Sequence, residues 1–306
     1  MSMLRRFTDF ILRGRLQAMG VAFVCAYIPV IGSISILIAG LVTLRKSILD
    51  GALVLCAATA PFLLSYYASP PPSDQAGMAM LAIETIVAGN ILVWLYAVLL
   101  RKYGNWNLIL EISALLGVVV VGAVHFFNPD VQQWWSAQLT AYFTQAAVAM
   151  TDGLTSADTA MQLRAVSTIK PFATGLVSAA ILCNGLIQLG LVRWWQTVLF
   201  APGTLRQELY HIRFGYVAAL LFVVVLLLSF WGNATALDIR PIFYSLFCIA
   251  GLSLVHCLLA PAKYTWFWLI LFYVGSVIFF PKSIMAIAIF ALLDVLLNVR
   301  RRLTRV

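Results

Sequence analysis

Runs of about twenty apolar residues recur along this chain, and each is the length a bilayer core requires of a helix. They lie at 47–67, 78–100, 107–127, 171–192, 214–232, 241–260, 264–280 and 283–298, the last two being short. A ninth apolar run, Leu16 to Leu44, is interrupted by Pro29 and Gly32. The pattern predicts an all-α fold: a polytopic bundle of about eight full transmembrane spans plus an N-terminal re-entrant hairpin or two short spans. With 63% hydrophobic and only 10% charged residues among 306, a sizeable soluble domain has no room. The whole chain, 1–306, therefore reads as one integral membrane domain.

The Leu16–Leu44 run is too long for a signal-peptide core. Each half, at 12 to 14 residues, makes about 20 Å of helix, short of the ~30 Å of hydrocarbon. The basic residues choose its path. If the run enters and returns at Pro29–Gly32, sixteen of the twenty Lys and Arg residues face inward and only Arg164, Lys170, Arg240 and Lys282 face outward. A single crossing gives twelve against eight. The positive-inside bias favours the return, with both termini cytoplasmic in a bacterial inner membrane. Arg5, Arg6, Arg13 and Arg15, set among Phe7, Phe10, Ile11 and Leu12, suit an anionic cytoplasmic leaflet. The net charge of +9 is thus accounted for by lipid rather than nucleic acid.

Between the spans at 107–127 and 171–192 lies the one long polar-leaning stretch, 128–170. Trp134, Trp135, Tyr142 and Phe143 among glutamines predict an interfacial helix. Thr151-Asp152-Gly153 breaks it, and Ser156 and Asp158 cap a second one. The expected result is an extracytoplasmic helix–turn–helix cap. The five cysteines sit in apolar runs without CxxC spacing and read as small buried apolar residues. No metal site or cofactor is expected. HExxH, GxSxG and Walker A motifs are missing from the sequence, so the chain does not read as an enzyme.

The stretch Arg193–Gly215, RWWQTVLFAPGTLRQELYHIRFG, leaves one span and feeds the next as a cytoplasmic interfacial connection. Trp194 and Trp195 are expected at the membrane–water boundary. Pro202-Gly203 signals a turn, and Thr204 with Gln207 has the spacing of a capping box opening a short helix. That helix would carry Arg206, Glu208, His211 and Arg213.

Polar groups at membrane depth are costly and therefore informative. Asp50 follows Ser47 at a cap spacing, and Glu111 is expected in the first turn of its span. Asp294 sits near the wrong end of its helix for the dipole and needs Lys263 or a tail arginine. Glu84, Asn90, Asn184 and Gln188 have no such explanation. Asn184 and Gln188 lie one turn apart, beside a small-residue row of Gly175, Ala179 and Cys183 that permits close helix packing. His125 and His256 lie near opposite faces.

The 193–215 stretch, with ILRGRLQA at 11–18 and LVHCLLAPAK at 254–263, resembles the YybS-like family of bacterial polytopic membrane proteins of unknown function. The matching positions are Arg13, Gly14, Arg15, Arg193, Trp195, Gln196, Pro202, Gly203, Glu208, Arg213 and His256, while Ala201 stands where the pattern would carry asparagine. The resemblance implies an inner-membrane helical fold and no mechanism. A looser fold-level similarity extends to the substrate-binding subunits of energy-coupling-factor transporters.

Two expectations follow, and the unexplained polar groups favour the first. In the first, Glu84, Asn90, Asn184 and Gln188 bind a small molecule that the protein carries. In the second, the protein is a membrane scaffold or assembly factor. Its cytoplasmic face, marked by Arg193, Trp195, Arg206, Glu208, Arg213 and His256, docks a protein partner.

Overall fold

A computed structural model describes residues 3–28, 31–72, 76–150, 156–261 and 263–300, without the side chains of 146–150 and 156–159. All its regular structure is helical, with no strand among the described residues. Pro29, the Thr151–Gly153 break and the arginines at 301, 302 and 305 lie outside them. The chain sorts into two compact units, 1–109 with 181–211, and 110–180 with 212–306.

The N-terminal unit starts with α1 (Met3–Arg13), α2 (Arg15–Tyr27) and α3 (Gly32–Arg45), followed by α4 (Ile48–Ala68) and α5 (Ala76–Tyr103). The interrupted run at 16–44 thus becomes a pair of short helices, and these pack on each other. α3 sits at the centre, against α2, α4 and α5. Ser35, Ile36 and every residue from Ile38 to Thr43 are buried. A helix apolar on all sides needs protein or lipid around it, and for most of α3 the neighbouring helices supply it. Ala18 and Ala22 of α2, Val54 and Ala58 of α4 and Val93 of α5 share its core. Gly40 brings α3 against Val192, where a Cβ would lie only 2.8 Å from the valine side chain.

α6 (Trp106–Phe127) begins in this unit, and α9 (Ala173–Phe200) ends in it. α10 (Thr204–Tyr210) follows after a three-residue turn. Ser47 caps α4 as its spacing predicts, accepting the Asp50 N–H at 3.0 Å. The capping box at Thr204 does not form. Gly203 is the cap residue at φ +87°, and the Thr204 hydroxyl donates back to the Ala201 carbonyl at 3.0 Å. The polypeptide must reverse immediately before the helix, and only the left-handed conformation does so within three residues.

The C-terminal unit contains α7 (Val131–Met150) and α8 (Ser156–Ile169), then a short 3-10 turn, Lys170–Phe172, leading into α9. α11 (Tyr216–Phe230), α12 (Ala234–Leu259), α13 (Thr265–Ile278) and α14 (Lys282–Leu297) complete it. α12 packs on α11 and α14, and Gly251 allows α12 to meet the Ile287 backbone. Phe214, Phe222, Phe243 and Phe247 stack at centroid distances of 4.2–6.2 Å to form its aromatic core.

Among the described residues, five helical stretches are long and apolar enough to cross a membrane: α4, α5, α6, residues 160–200 ending in α9, and α12. They are compatible with a multi-pass membrane protein. α11 and α13, at 15 and 14 residues, are shorter than the spans expected there, while α14 has the 16 residues expected of it. α13 has no buried residue at all, as suits a helix solvated by lipid.

Candidate functional site: the basic end of the N-terminal unit

Contacts within the N-terminal unit bring Arg15, Arg45 and Arg101 to one end. Arg15, at the start of α2, pairs with Asp50 at the start of α4. Arg101, in the last turn of α5, donates to the Thr43 and Lys46 carbonyls at 2.5 and 2.8 Å. These carbonyls are left open where α3 terminates, so the guanidinium satisfies them and the negative end of the helix dipole together. Arg45 lies 3.9 Å above the Phe200 ring near the end of α9. The beginning of α2 and the end of α3 therefore share one end of the unit, as the return path requires.

The centre of this end is Arg193. Its Nε and Nη2 both reach Glu208, at 3.1 and 2.5 Å, a bidentate grip suited to a planar guanidinium. Nη1 donates to Gln196 Oε1 at 2.6 Å, and the Trp106 indole donates to Glu208 Oε2 at 3.0 Å. Burial alone pushes the Glu208 carboxyl up. The hydrogen bonds from Arg193 and Trp106, with the arginine charge, outweigh it and hold the carboxyl below its ordinary 4.5. Arg193 and Glu208 are thus committed to each other, and their joint effect is to clamp α10 against the end of α9 and the start of α6.

Clamping leaves one face of α10 outward. Arg206, Gln207, Leu209 and His211 are exposed. Arg206 Nε donates to Tyr210 Oη at 2.7 Å, and His211 Nδ1 donates to the Gln207 carbonyl at 2.7 Å. Trp195, expected at the membrane boundary, is instead 6% exposed. Its indole donates to Thr8 Oγ1 at 2.9 Å, and its ring stacks on Phe7 at 6.0 Å. Trp194, one residue earlier, is exposed as expected. One residue along a helix is a rotation of about 100°, enough to separate the two.

The proposed ligand groups are distributed differently. Glu84 is exposed on α5. Asn90 is buried and donates to Thr59 Oγ1 at 3.2 Å, tying α5 to α4. Gln188 donates to Asn184 Oδ1 at 3.1 Å on α9, with Asn184 exposed. An open apolar groove of about 320 Å³ lies in the C-terminal unit between α12 and α13, lined by Val255, Leu258, Leu259, Trp268, Leu271 and Phe272, with none of these groups among them.

The remaining residues belong to the C-terminal unit. Arg213 Nη2 donates to Asn298 Oδ1 at 3.0 Å, and His256 Nε2 lies 2.8 Å from Tyr273 Oη, linking α12 to α13. Asp294 finds its basic partner in Arg300, at 3.0 Å, which also donates to the Ile212 carbonyl. Glu111 falls beyond the first turn of α6, and its carboxylate accepts the Gly215 N–H at 2.9 Å. Trp135 is buried and donates to Thr174 Oγ1 at 2.9 Å rather than lying at an interface.

Asp238, on α12, is a further buried carboxylate that the reading of membrane-depth polar groups does not include. It is 2% exposed, accepting the His125 Nε2–H at 2.8 Å and the Gly175 N–H at 2.7 Å. A carboxylate four residues into α12 was a visible signal, because its burial there requires donors. Among the described residues, no three His, Cys, Asp or Glu side chains gather to hold a metal. Cys56 is exposed and only Cys25 is buried. No family model, no curated protein and no solved structure matches this chain.

Proposed function

We propose that the protein is a membrane scaffold or assembly factor that docks a partner protein on the exposed face of α10. The observation that carries this reading is the Arg193–Glu208–Trp106 clamp. A seven-residue helix has little stability of its own, yet three charge-assisted or indole hydrogen bonds hold this one rigid. Rigidity there preorganises Arg206, Gln207, Leu209 and His211 and lowers the entropy a partner must remove on binding. The positive-inside partition supports a cytoplasmic setting for this face, and the likeness to the YybS-like family agrees with an inner-membrane one.

The carrier reading receives less support. Of its four polar groups, Asn90 is occupied by Thr59, Gln188 by Asn184, and Glu84 and Asn184 are exposed.

The test places a photo-crosslinking residue at Gln207 or at Glu84 in the full-length protein, in native membranes. A discrete protein adduct is expected from Gln207 and is lost with Arg206→Glu. Adduct formation only at Glu84, or loss of cellular function in Glu84→Gln but not in Arg206→Glu, would overturn the reading.

A further inference from the structure

Exposed apolar residues need no explanation where a helix faces lipid, but exposed amides do, because hydrocarbon offers them no partner. α9 carries such a pair. Gln188 Nε2 donates to Asn184 Oδ1, and this bond leaves the pair unsatisfied. The two N–H donors of Asn184 have no partner among the described residues, and Gln188 Oε1 is buried without one. The contrast with α13 is instructive. That helix is more exposed still, but its Ser276 hydroxyl is turned back onto the Phe272 carbonyl.

Around Asn184 the exposed residues follow a regular rule. Asn184, Ile187, Leu191, Trp194 and Val198 all face outward, spaced three, four, three and four residues apart. That is the spacing of a heptad seam, in which a helix meets another helix along its length. Ile187 is 61% exposed and Leu191 46%, so the seam is not covered by the described residues of its own unit. Gly190 lies on the same side of the helix, and a Cβ built there would meet nothing within 4 Å. Gly185, by comparison, is explained by Leu92 and Tyr96 pressed against it. A small residue facing open space on an apolar helix is where another backbone can approach closely.

Depth strengthens the case. Ten residues separate Asn184 from Trp194, about 15 Å of helix. With Trp194 at the interface, Asn184 lies near the midplane of a core ~30 Å thick, beyond the reach of water.

We infer that the Asn184–Val198 face of α9 is an interface for the same face of a second copy of this chain. The amide selects that occupant. Asn184 offers donors and, on Oδ1, an acceptor site beyond the one Gln188 uses. Related by a twofold axis, two Asn184 side chains each donate to the other, so the surface is its own complement. A single amide in an apolar seam also fixes register, because sliding by one turn leaves it facing hydrocarbon. This interface is separate from the α10 face and does not depend on its function.

The experiment measures energy transfer between donor- and acceptor-labelled full-length copies in lipid vesicles over a range of protein-to-lipid ratios. The wild type is expected to follow a monomer–dimer isotherm. Asn184→Leu should shift it to a protein density about 3- to 30-fold higher, and Asn184→Gln, which keeps the amide, should shift it less. Gly190→Leu should shift it as well. Val277→Leu on α13 and Arg206→Glu on α10 should leave it in place. Because Asn184→Leu replaces an exposed amide with an apolar group, the folded monomer is not put at risk. A wild type that shows only the transfer of randomly mixed monomers overturns the inference, as does an isotherm that Asn184→Leu and Gly190→Leu leave unmoved. So does a monomeric wild type whose α9 face crosslinks to a different membrane protein.

Discussion

Trp195 and Thr8 are 187 residues apart in the chain and joined by a 2.9 Å hydrogen bond from indole to hydroxyl. The bond fastens α1 to the end of α9, and Phe7 stacks beneath the same ring. Trp195→Phe keeps the stack and removes the donor, and is expected to cost about 1 kcal/mol. Trp195→Ala also removes the ring from a buried site and should cost about 3–5 kcal/mol. Thermal unfolding in detergent, followed by a thiol- or tryptophan-independent probe, checks the order of the two.

The clamp on α10 should respond to pH in a defined direction. Glu208 has a folded value below its ordinary 4.5, so the folded state favours the ionised form. Its stabilising effect is complete above that ordinary value and is lost as pH falls through the lower folded value. Limited proteolysis at Arg206 should therefore accelerate in acid. Glu208→Gln should show the fast rate already at neutral pH and little further change on acidification.

Gly203 has φ +87° with no side chain within 4 Å of a would-be Cβ, so its requirement is conformational and not steric. Gly203→Asn should be tolerated better than Gly203→Val, because asparagine adopts left-handed backbone and a β-branched residue resists it. A penalty of about 1–2 kcal/mol is expected for valine. Equal yields and melting temperatures for both variants would contradict the turn.

At Gly175 the requirement is steric. A Cβ there would come within 1.6 Å of the Asp238 carbonyl oxygen, a backbone atom that cannot rotate away. Gly175→Ala should separate α9 from α12 and break the Gly175 N–H bond to Asp238. Gly122→Ala, where nothing lies within 4 Å, should be neutral or slightly stabilising. Folded yield and thermal midpoint distinguish them.

Topology is open to direct test. The sixteen-to-four partition of basic residues predicts that a periplasm-active reporter is active when fused after Trp135 and silent at the C-terminus. The opposite result would invert the arrangement and move α10 outside the cell.

Much of the fold is written locally. Apolar run length predicts the helices of α4, α5, α6 and α12, because a helix satisfies its own backbone and its length follows from residue count. The Ser47 cap and the turn at Gly203 are equally local, each needing only neighbours within four residues. The split of the 16–44 run into α2 and α3 was legible from Pro29 and Gly32, which interrupt it. What α3 does was not. A run of apolar residues is the same in sequence whether lipid or protein surrounds it, and only the packing of α2, α4, α5 and Val192 shows that α3 is the centre of its unit. Trp194 and Trp195 make the same point, being identical in type and adjacent in sequence, with one exposed and the other buried against Thr8. The partners of polar side chains were likewise undecided, because Glu208 meets Trp106, and Asp238 meets His125, across more than a hundred residues. Composition, periodicity and charge determined that this is a helical chain compatible with many membrane crossings. Which polar groups are satisfied inside it, and which, like Asn184, still face outward, was decided only when distant helices came together.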